Sequence, residues 1–273
     1  MATRRYLLIP LLAAALFAGA LFAASSARGY GWPVAPFHQQ HPIRGYFGDP
    51  RTIYWDPFDP LHFPVNGSVT FHNGVDIAAA PGTPVYPVLT GVVRQAAHQR
   101  VVVKVPDGRS FQYIHIFPSV RVGQVVRVAK TVIGTVTPEA GHVHLSELAP
   151  HGGAVDPLLP GHLAPYYDRT IPRVQGIQLR TSAGVPVDPF NLKGVAFAVA
   201  DAYDEPSMAV PAPWNGLPVA PAVVRWWLRT PQGEIVESGT SADFETGLPA
   251  NRLFWRIYAT LRKNGLVRAQ EIS

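Results

Sequence analysis

The order of apolar and polar residues between Phe71 and Leu148 is that of short strands joined by turns. Short β-branched runs recur there and fit half-buried strands; they are Pro84–Leu89, Val92–Ala96, Val101–Val105, Ser110–Ile116, Val125–Val128, Val132–Val136 and His142–Leu148. Pro106-Asp107-Gly108 lies between two of these runs and is typical of a hairpin turn. Because no part of this region keeps a helical apolar period over three turns, residues 71–150 are predicted to form an antiparallel β domain.

The flanking segments differ from this pattern. Residues 28–70 are rich in aromatic residues and show little alternation after position 51, which predicts a lead-in segment with a long loop at 51–70. Residues 151–172 are rich in proline and are predicted to form a stiff linker. Strand-like segments recur beyond it, so residues 173–273 are predicted to form a smaller β-sandwich of the immunoglobulin-like kind. The predicted fold class is therefore all-β.

The first 27 residues have the three parts of a secretory signal peptide. Arg4 and Arg5 form a basic start, an apolar run follows at 6–24, and small residues at 25–27 offer a cleavage site. An uncleaved membrane anchor is the alternative, because the apolar run is nearly long enough to span a bilayer. Both interpretations predict a secreted or cell-envelope protein, and no later segment predicts a membrane span in the mature chain.

Composition narrows the class of protein. With 47% hydrophobic and only 15% charged residues, the chain is too apolar to be intrinsically disordered. Its 28 prolines and 24 glycines argue against a helical bundle. The absence of cysteine excludes a disulfide scaffold, a thiolate metal site and a cysteine nucleophile. A net charge of +5 is too weak to indicate nucleic-acid binding.

Five residues are candidates for chemistry. His142 and His144 are two apart in a strand-like segment, so their side chains leave the same face of the sheet. His72 and Asp76 flank a turn-like stretch that can bring both side chains together. His72, Asp76 and His144 would suit a tetrahedral zinc ion with one position left for water, while His115 and His142 could move protons. Spacing alone leaves an ordinary structural role for these histidines equally open.

Five short motifs follow one another in this region. They are His72-Asn73-Gly74-Val75-Asp76, Gly82-Thr83-Pro84-Val85-Tyr86 with Gly91, Tyr113-Ile114-His115, Val120-x-x-Gly123-Gln124-x-Val126 with Ile133-Gly134, and His142-Val143-His144. In kind and order they closely resemble the motifs of the lysostaphin/LytM-type zinc metallopeptidases, which cleave peptide bonds in bacterial peptidoglycan. Phe47-Gly48-Asp49-Pro50-Arg51 is similar to the family's Phe-Gly-x-Arg lead-in, so the resemblance covers about residues 44–150.

The resemblance implies a role for each of the five residues. His72, Asp76 and His144 match the family's zinc ligands, and His115 and His142 match its catalytic histidines. The implied function is a secreted zinc-dependent endopeptidase that acts on peptidoglycan stem or cross-link peptides, with a zinc-activated water as nucleophile. A protein regulator is a further possible partner. The alternatives are a catalytically silent LytM-like regulator or cell-wall-binding adaptor, and a secreted module that only sequesters metal.

Some features depart from the family pattern or lie outside it. Ser146 stands where the family commonly has glutamate, with Glu147 one position later. The insertion at 51–70 leads directly into Phe71 and His72, and is predicted to line or cover the cleft. His151 and His162 lie in the predicted linker and are interpreted as solvated loop residues.

Overall fold

A computed structural model describes residues 29–52 and 69–258. The predicted signal peptide and most of the predicted loop at 51–70 lie outside the described residues. The strands are β1 (Ile43–Gly45), β2 (Pro50–Thr52), β3 (Val69–Phe71), β4 (Val75–Ala78), β5 (Pro84–Val85), β6 (Gly91–Ala97), β7 (Arg100–Lys104), β8 (Ser110–Ile114), β9 (Ile116–Pro118), β10 (Val125–Val126), β11 (Gly134–Val136), β12 (His142–Leu148), β13 (Ala154–Val155), β14 (Arg173–Arg180), β15 (Pro186–Val187), β16 (Phe197–Tyr203), β17 (Val223–Arg229) and β18 (Ile235–Asp243). One helix, α1 (Phe254–Ile257), and two 3-10 turns (Pro189–Asn191 and Asn251–Leu253) complete the described elements. The described elements are thus almost all strands, as predicted.

One antiparallel sheet carries the first half of the molecule. Its strand order is β1-β4-β12-β8-β7-β6-β10, with β13 paired to β12. The hairpin predicted at Asp107-Gly108 is confirmed, because β7 pairs with β8 and Gly108 has the positive φ of +91° that such a turn requires. The alternating apolar side chains of these strands, such as Val101, Val103 and Phe111, are fully buried on one face. A smaller sheet, β5-β11-β9, closes over that core.

The segments before and after this sheet pack together on its core. Tyr30 and Trp32 are buried, and so is Leu163 in the segment that was predicted as a linker. The Tyr30 amide donates to the His162 carbonyl at 2.8 Å, and the Ala164 amide returns a bond to the Tyr30 carbonyl at 2.8 Å. This backbone pairing places both segments against the sheet.

A buried carboxylate joins these segments to the sheet. Glu147 of β12 is fully buried and accepts hydrogen bonds from the Tyr30 hydroxyl at 2.6 Å, Arg109 Nη1 at 2.8 Å and His162 Nδ1 at 2.7 Å. The interpretation of His162 as a solvated loop residue is therefore wrong. His162 is half-buried, and its Nδ1 donates one of the hydrogen bonds that a buried carboxylate needs. His151 is exposed.

The C-terminal strands form two small sheets, β15-β14-β16 and β17-β18. Most of their apolar side chains are exposed, so an immunoglobulin-like sandwich with its own core is not confirmed. The buried apolar residues of this region instead pack against the first half of the chain. They form a cluster of Phe47, Phe71, Ala242, Phe244 and Phe254. Within the described part of the chain, no helix is long and apolar enough to cross a membrane.

Because Tyr30 donates a hydrogen bond to Glu147, we predict that Tyr30→Phe makes the folded protein measurably less stable. The substitution keeps the ring, which packs edge-on against Phe111, and removes only one donor to a buried carboxylate. We expect a decrease of about 1–3 kcal/mol in the free energy of unfolding, measured by urea denaturation.

Tyr86→Phe is the matched control, because the Tyr86 hydroxyl has no hydrogen bond within the described residues. This substitution should lower the free energy of unfolding by less than about 0.5 kcal/mol. Equal losses in the two variants would show that Glu147 does not depend on Tyr30.

Candidate metal centre

Three of the predicted residues converge on one point. His72 follows β3, Asp76 lies in β4, and His144 lies in β12, where its register partner is Asp76 itself. Asp76 Oδ1 is 3.1 Å from His72 Nε2 and 3.0 Å from His144 Nδ1, and these two nitrogens are 2.9 Å apart. All three residues are buried. The strand pairing therefore brings together two imidazole nitrogens and one carboxylate oxygen.

The hydrogen bond on the far side of His72 determines which nitrogen is free. Nδ1 lies 2.8 Å from the Tyr46 carbonyl, which can only accept, so Nδ1 carries the proton. Arg51 Nη2 is also near Nδ1, at 3.2 Å, but its hydrogen bond goes to Asp76 Oδ2 at 3.1 Å. His72 Nε2 is thereby left with its lone pair directed at Asp76 Oδ1 and His144 Nδ1.

His144 is oriented by a residue whose role was not predicted. Its Nε2 lies 2.7 Å from Ser146 Oγ, and Ser146 is fully buried. An N–H donated to that hydroxyl leaves Nδ1 unprotonated. The strand alternation could have identified Ser146, because it follows His144 by two positions and so shares its face.

Asp76 is held ionised by its neighbours. Burial raises the pKa of Asp76, but the polar and charged groups around the carboxylate outweigh it and keep that pKa well below its usual range. Arg51 contributes a guanidinium at 3.1 Å from Oδ2, and Arg44 a second one at 3.8 Å. The inner oxygen, Oδ1, is consequently charged and faces the two nitrogens.

A steric constraint explains why the His-x-Gly-x-Asp motif has glycine at position 74. A Cβ at this position would collide with the Leu145 carbonyl oxygen and lie 2.8 Å from His144 Nε2. Any larger residue would push β12 away from the loop that carries His72.

The two predicted catalytic histidines lie together beside this group. The rings of His115 and His142 are 4.5 Å apart between centroids, and His142 Nε2 is 3.6 Å from Asp76 Oδ1. Burial lowers the pKa of His115 to about 4 and that of His142 to about 3, so both rings are neutral at pH 7. His115 has a positive φ of 65° between β8 and β9, a strained conformation of the kind that often occurs at functional sites.

The tautomer of His142 follows from its partners. Nδ1 donates to the Ala140 carbonyl at 2.7 Å, and Nε2 accepts from Arg44 Nη2 at 3.0 Å. His142 therefore presents a lone pair toward the site. For His115, the described residues supply no hydrogen-bond partner to either ring nitrogen.

The three converging donors fit a metal ion. Within the described part of the chain, the group of ligand atoms lying within 4.8 Å of one another consists of His72, Asp76 and His144. Two neutral imidazole nitrogens with one carboxylate oxygen is a donor set that zinc accepts, with one position left over for water or substrate. The chemistry of the donors and their hydrogen-bonded partners thus fits zinc.

Comparisons with known proteins match the region that holds this site to one family. The sequence profile of peptidase family M23 matches residues 70–157. No curated protein matches the chain. Among solved structures, a zinc-containing peptidase from Vibrio cholerae is 26% identical over 48% of this chain and 39% of its own, with a TM-score of 0.35.

Two further solved structures are similar over about half of this chain. A mutant catalytic domain of a prophage-encoded M23 protein from Enterococcus faecalis is 23% identical over 50% of this chain and 98% of its own, with a TM-score of 0.33. The catalytic domain of lysostaphin from Staphylococcus simulans is 20% identical over 51% of this chain and 94% of its own, with a TM-score of 0.29. The resemblance predicted from the motifs is confirmed: residues 70–157 of this chain match peptidase family M23.

Proposed function

We propose that this protein is a zinc-dependent endopeptidase that cleaves peptide bonds in the stem or cross-link peptides of peptidoglycan. The observation that carries the proposal is the convergence of His72, Asp76 and His144 beside two neutral histidines. The match of residues 70–157 to a peptidase family supports the reaction class. The predicted signal peptide supports a location outside the cytoplasm, where peptidoglycan is found.

In this proposal His72 Nε2, Asp76 Oδ1 and His144 Nδ1 hold the zinc ion. Zinc bound there would polarise a peptide carbonyl and lower the pKa of a bound water to about 7. His142 presents the Nε2 lone pair and can accept a proton once Arg44 is displaced from it. His115, in ring contact with His142, is placed to share proton transfer or to stabilise negative charge on the substrate oxygen.

The main alternative is a catalytically silent family member that acts as a regulator or adaptor. The structure holds all five residues in one site, and this supports the enzyme over the silent protein. Incubation of the mature protein with purified sacculi separates the two. Peptide release that a chelator abolishes and zinc restores supports the peptidase, whereas binding without release supports the adaptor.

Substitution of single histidines tests the assignment of roles. His144→Ala leaves only two protein ligands, so zinc content and activity should be lost together. His142→Ala should keep zinc and reduce turnover by at least about a hundredfold, because its ring is needed for proton transfer only. Metal analysis and release of peptides from sacculi measure both effects. Loss of zinc from His142→Ala with retention in His144→Ala would reverse the two roles.

Ser146→Ala tests the hydrogen bond behind the ligand. Removing Oγ leaves His144 Nε2 without its partner at 2.7 Å and frees the ring to turn. We expect zinc affinity to fall roughly 10- to 100-fold, measured by competition with a chromogenic chelator. Ser119→Ala, which removes an exposed serine hydroxyl, is the control and should leave affinity unchanged.

Stability of the zinc-free protein should fall as the pH is lowered from 7 to 5. The pKa of His142 is about 3 in the folded chain, whereas an unperturbed imidazole has a pKa of about 6.5. Between these values the unfolded chain binds a proton that the folded chain does not, so acid favours unfolding. His142 should contribute a loss of about 2 kcal/mol over this range.

Urea denaturation at pH 7 and pH 5, in the presence of a chelator, measures this dependence. His142→Gln should reduce it by about 2 kcal/mol, because the substituted side chain takes up no proton. The rest of the dependence should remain, because His72 and His115 also have pKa values of about 4. Replacement of the exposed His151 by Gln should leave the wild-type dependence in place. An equal dependence in all three proteins would show that His142 is not buried as a neutral ring.

A further inference from the structure

Arg44 brings a positive charge to the site and shares its nearest carboxylate, that of Asp76, with Arg51. Its side chain is only 5% exposed, and Nη2 donates to His142 Nε2, a neutral acceptor. The nearest carboxylate oxygen, Asp76 Oδ2, is 3.8 Å away and already accepts from Arg51 at 3.1 Å. Because burial penalises its charge, the pKa of Arg44 is lowered, but a guanidinium remains protonated in proteins. The site therefore contains a buried cation that shares its nearest carboxylate with a second guanidinium.

An aromatic ring from the C-terminal region covers this guanidinium. The guanidinium carbon of Arg44 lies 4.4 Å from the ring centroid of Trp214, and that ring is 6.3 Å from the ring of His142. Trp214 also approaches Gly141, where a Cβ would lie 2.6 Å from the indole. Trp214 is thus a wall of the cleft on the side of the predicted catalytic histidines. It lies in a segment that begins and ends at the bridge between Asp204 and Val219.

Two hydrogen-bond donors in this wall are left unused. Arg44 Nε and Trp214 Nε1 are both buried, and neither has a hydrogen-bond partner. A buried N–H without an acceptor is costly, and native proteins usually satisfy such groups. An anion with oxygen acceptors would satisfy both unused donors and would add a counterion to a guanidinium that shares Asp76 with Arg51.

We propose that Arg44 and Trp214 form a subsite that binds a carboxylate of the substrate peptide. This inference rests on the proposed peptidase function and names the substrate class, peptides with a free carboxylate near the scissile bond. A carboxylate matches the planar fork of a guanidinium, whereas the imidazole and indole rings around Arg44 cannot neutralise it. The cation–π contact with Trp214 holds the guanidinium in place for that ligand.

The hydrogen bond from Arg44 to His142 links substrate binding to catalysis. While Arg44 Nη2 donates to His142 Nε2, the lone pair that would accept a proton is occupied. A carboxylate that takes over this donor releases Nε2. A substrate with the carboxylate should therefore bind more tightly and also react faster once bound.

A matched pair of peptides tests the subsite. One stem peptide is prepared with a free C-terminal carboxylate and again as the carboxamide, and both are cleaved by the zinc-loaded full chain. We expect kcat/KM to favour the carboxylate roughly 10- to 100-fold, the range of a charge-assisted hydrogen bond. In Arg44→Gln this preference should disappear, and in Arg44→Lys part of it should remain because the charge is kept.

Arg121→Gln is the control for loss of one positive charge, since Arg121 is exposed. It should keep the wild-type preference. A preference that survives in Arg44→Gln would overturn the inference, and so would its loss in Arg121→Gln. Faster cleavage of both peptides by Arg44→Gln would also overturn it, because Arg44 would then only block His142.

Calorimetric titration of both peptides into the zinc-free chain separates this inference from the proposed function. Tighter binding of the carboxylate peptide that depends on Arg44 supports the subsite even if neither peptide is cleaved, in which case the peptidase proposal fails alone. If both peptides bind equally tightly and are cleaved at equal rates, the peptidase proposal is supported and the subsite inference is wrong.

Discussion

The pairing of His144 with Asp76 across β12 and β4 is the constraint on which the site depends. Register fixes it: Val143 lies opposite Ile77 and Leu145 opposite Val75, so the intervening His144 falls opposite Asp76. Those four apolar residues are completely buried. A slip by one residue would turn them to the cleft and the ligands to the core. The hydrophobic core thus sets the position of the metal donors.

The same burial explains why these side chains are in the right charge state. Desolvation disfavours a charged imidazole, and it lowers the pKa of His72 and His115 to about 4 each. The carboxylate of Asp76 stays ionised because Arg51 donates a hydrogen bond to its outer oxygen and a second guanidinium, that of Arg44, lies nearby. The result is a charged oxygen next to neutral nitrogens, the protonation state that metal coordination requires.

The features that could be predicted from the sequence are those determined by residues close together along the chain. The hairpin at Asp107-Gly108 and the common face of His142 and His144 both follow from the two-residue period of a strand. The contact of His162 with Glu147 and that of Trp214 with Arg44 join residues far apart in the chain. No local pattern indicates which distant side chain will meet a buried charge. These contacts therefore became visible only in the fold.

The C-terminal region illustrates the same limit at a larger scale. Its alternating strands were predicted to form a sandwich, because alternation shows that one face is apolar but not what covers it. The fold buries Phe244 and Phe254 against Phe47 and Phe71 instead. Alternation on its own could not distinguish a separate domain from an extension of the first core.

This shared core reaches the metal ligands directly. Phe71 immediately precedes His72, and the His72 amide and carbonyl bond to Asp49 and Gly48 at 2.8 and 2.9 Å. Asp49 in turn accepts from the Ala220 amide at 2.9 Å, and a side chain at Gly48 would collide with the Phe244 ring. The backbone that carries His72 is thus held between the lead-in segment and the C-terminal region. A shift of that region would move His72 relative to Asp76 and His144, which lie opposite each other in the paired strands β4 and β12.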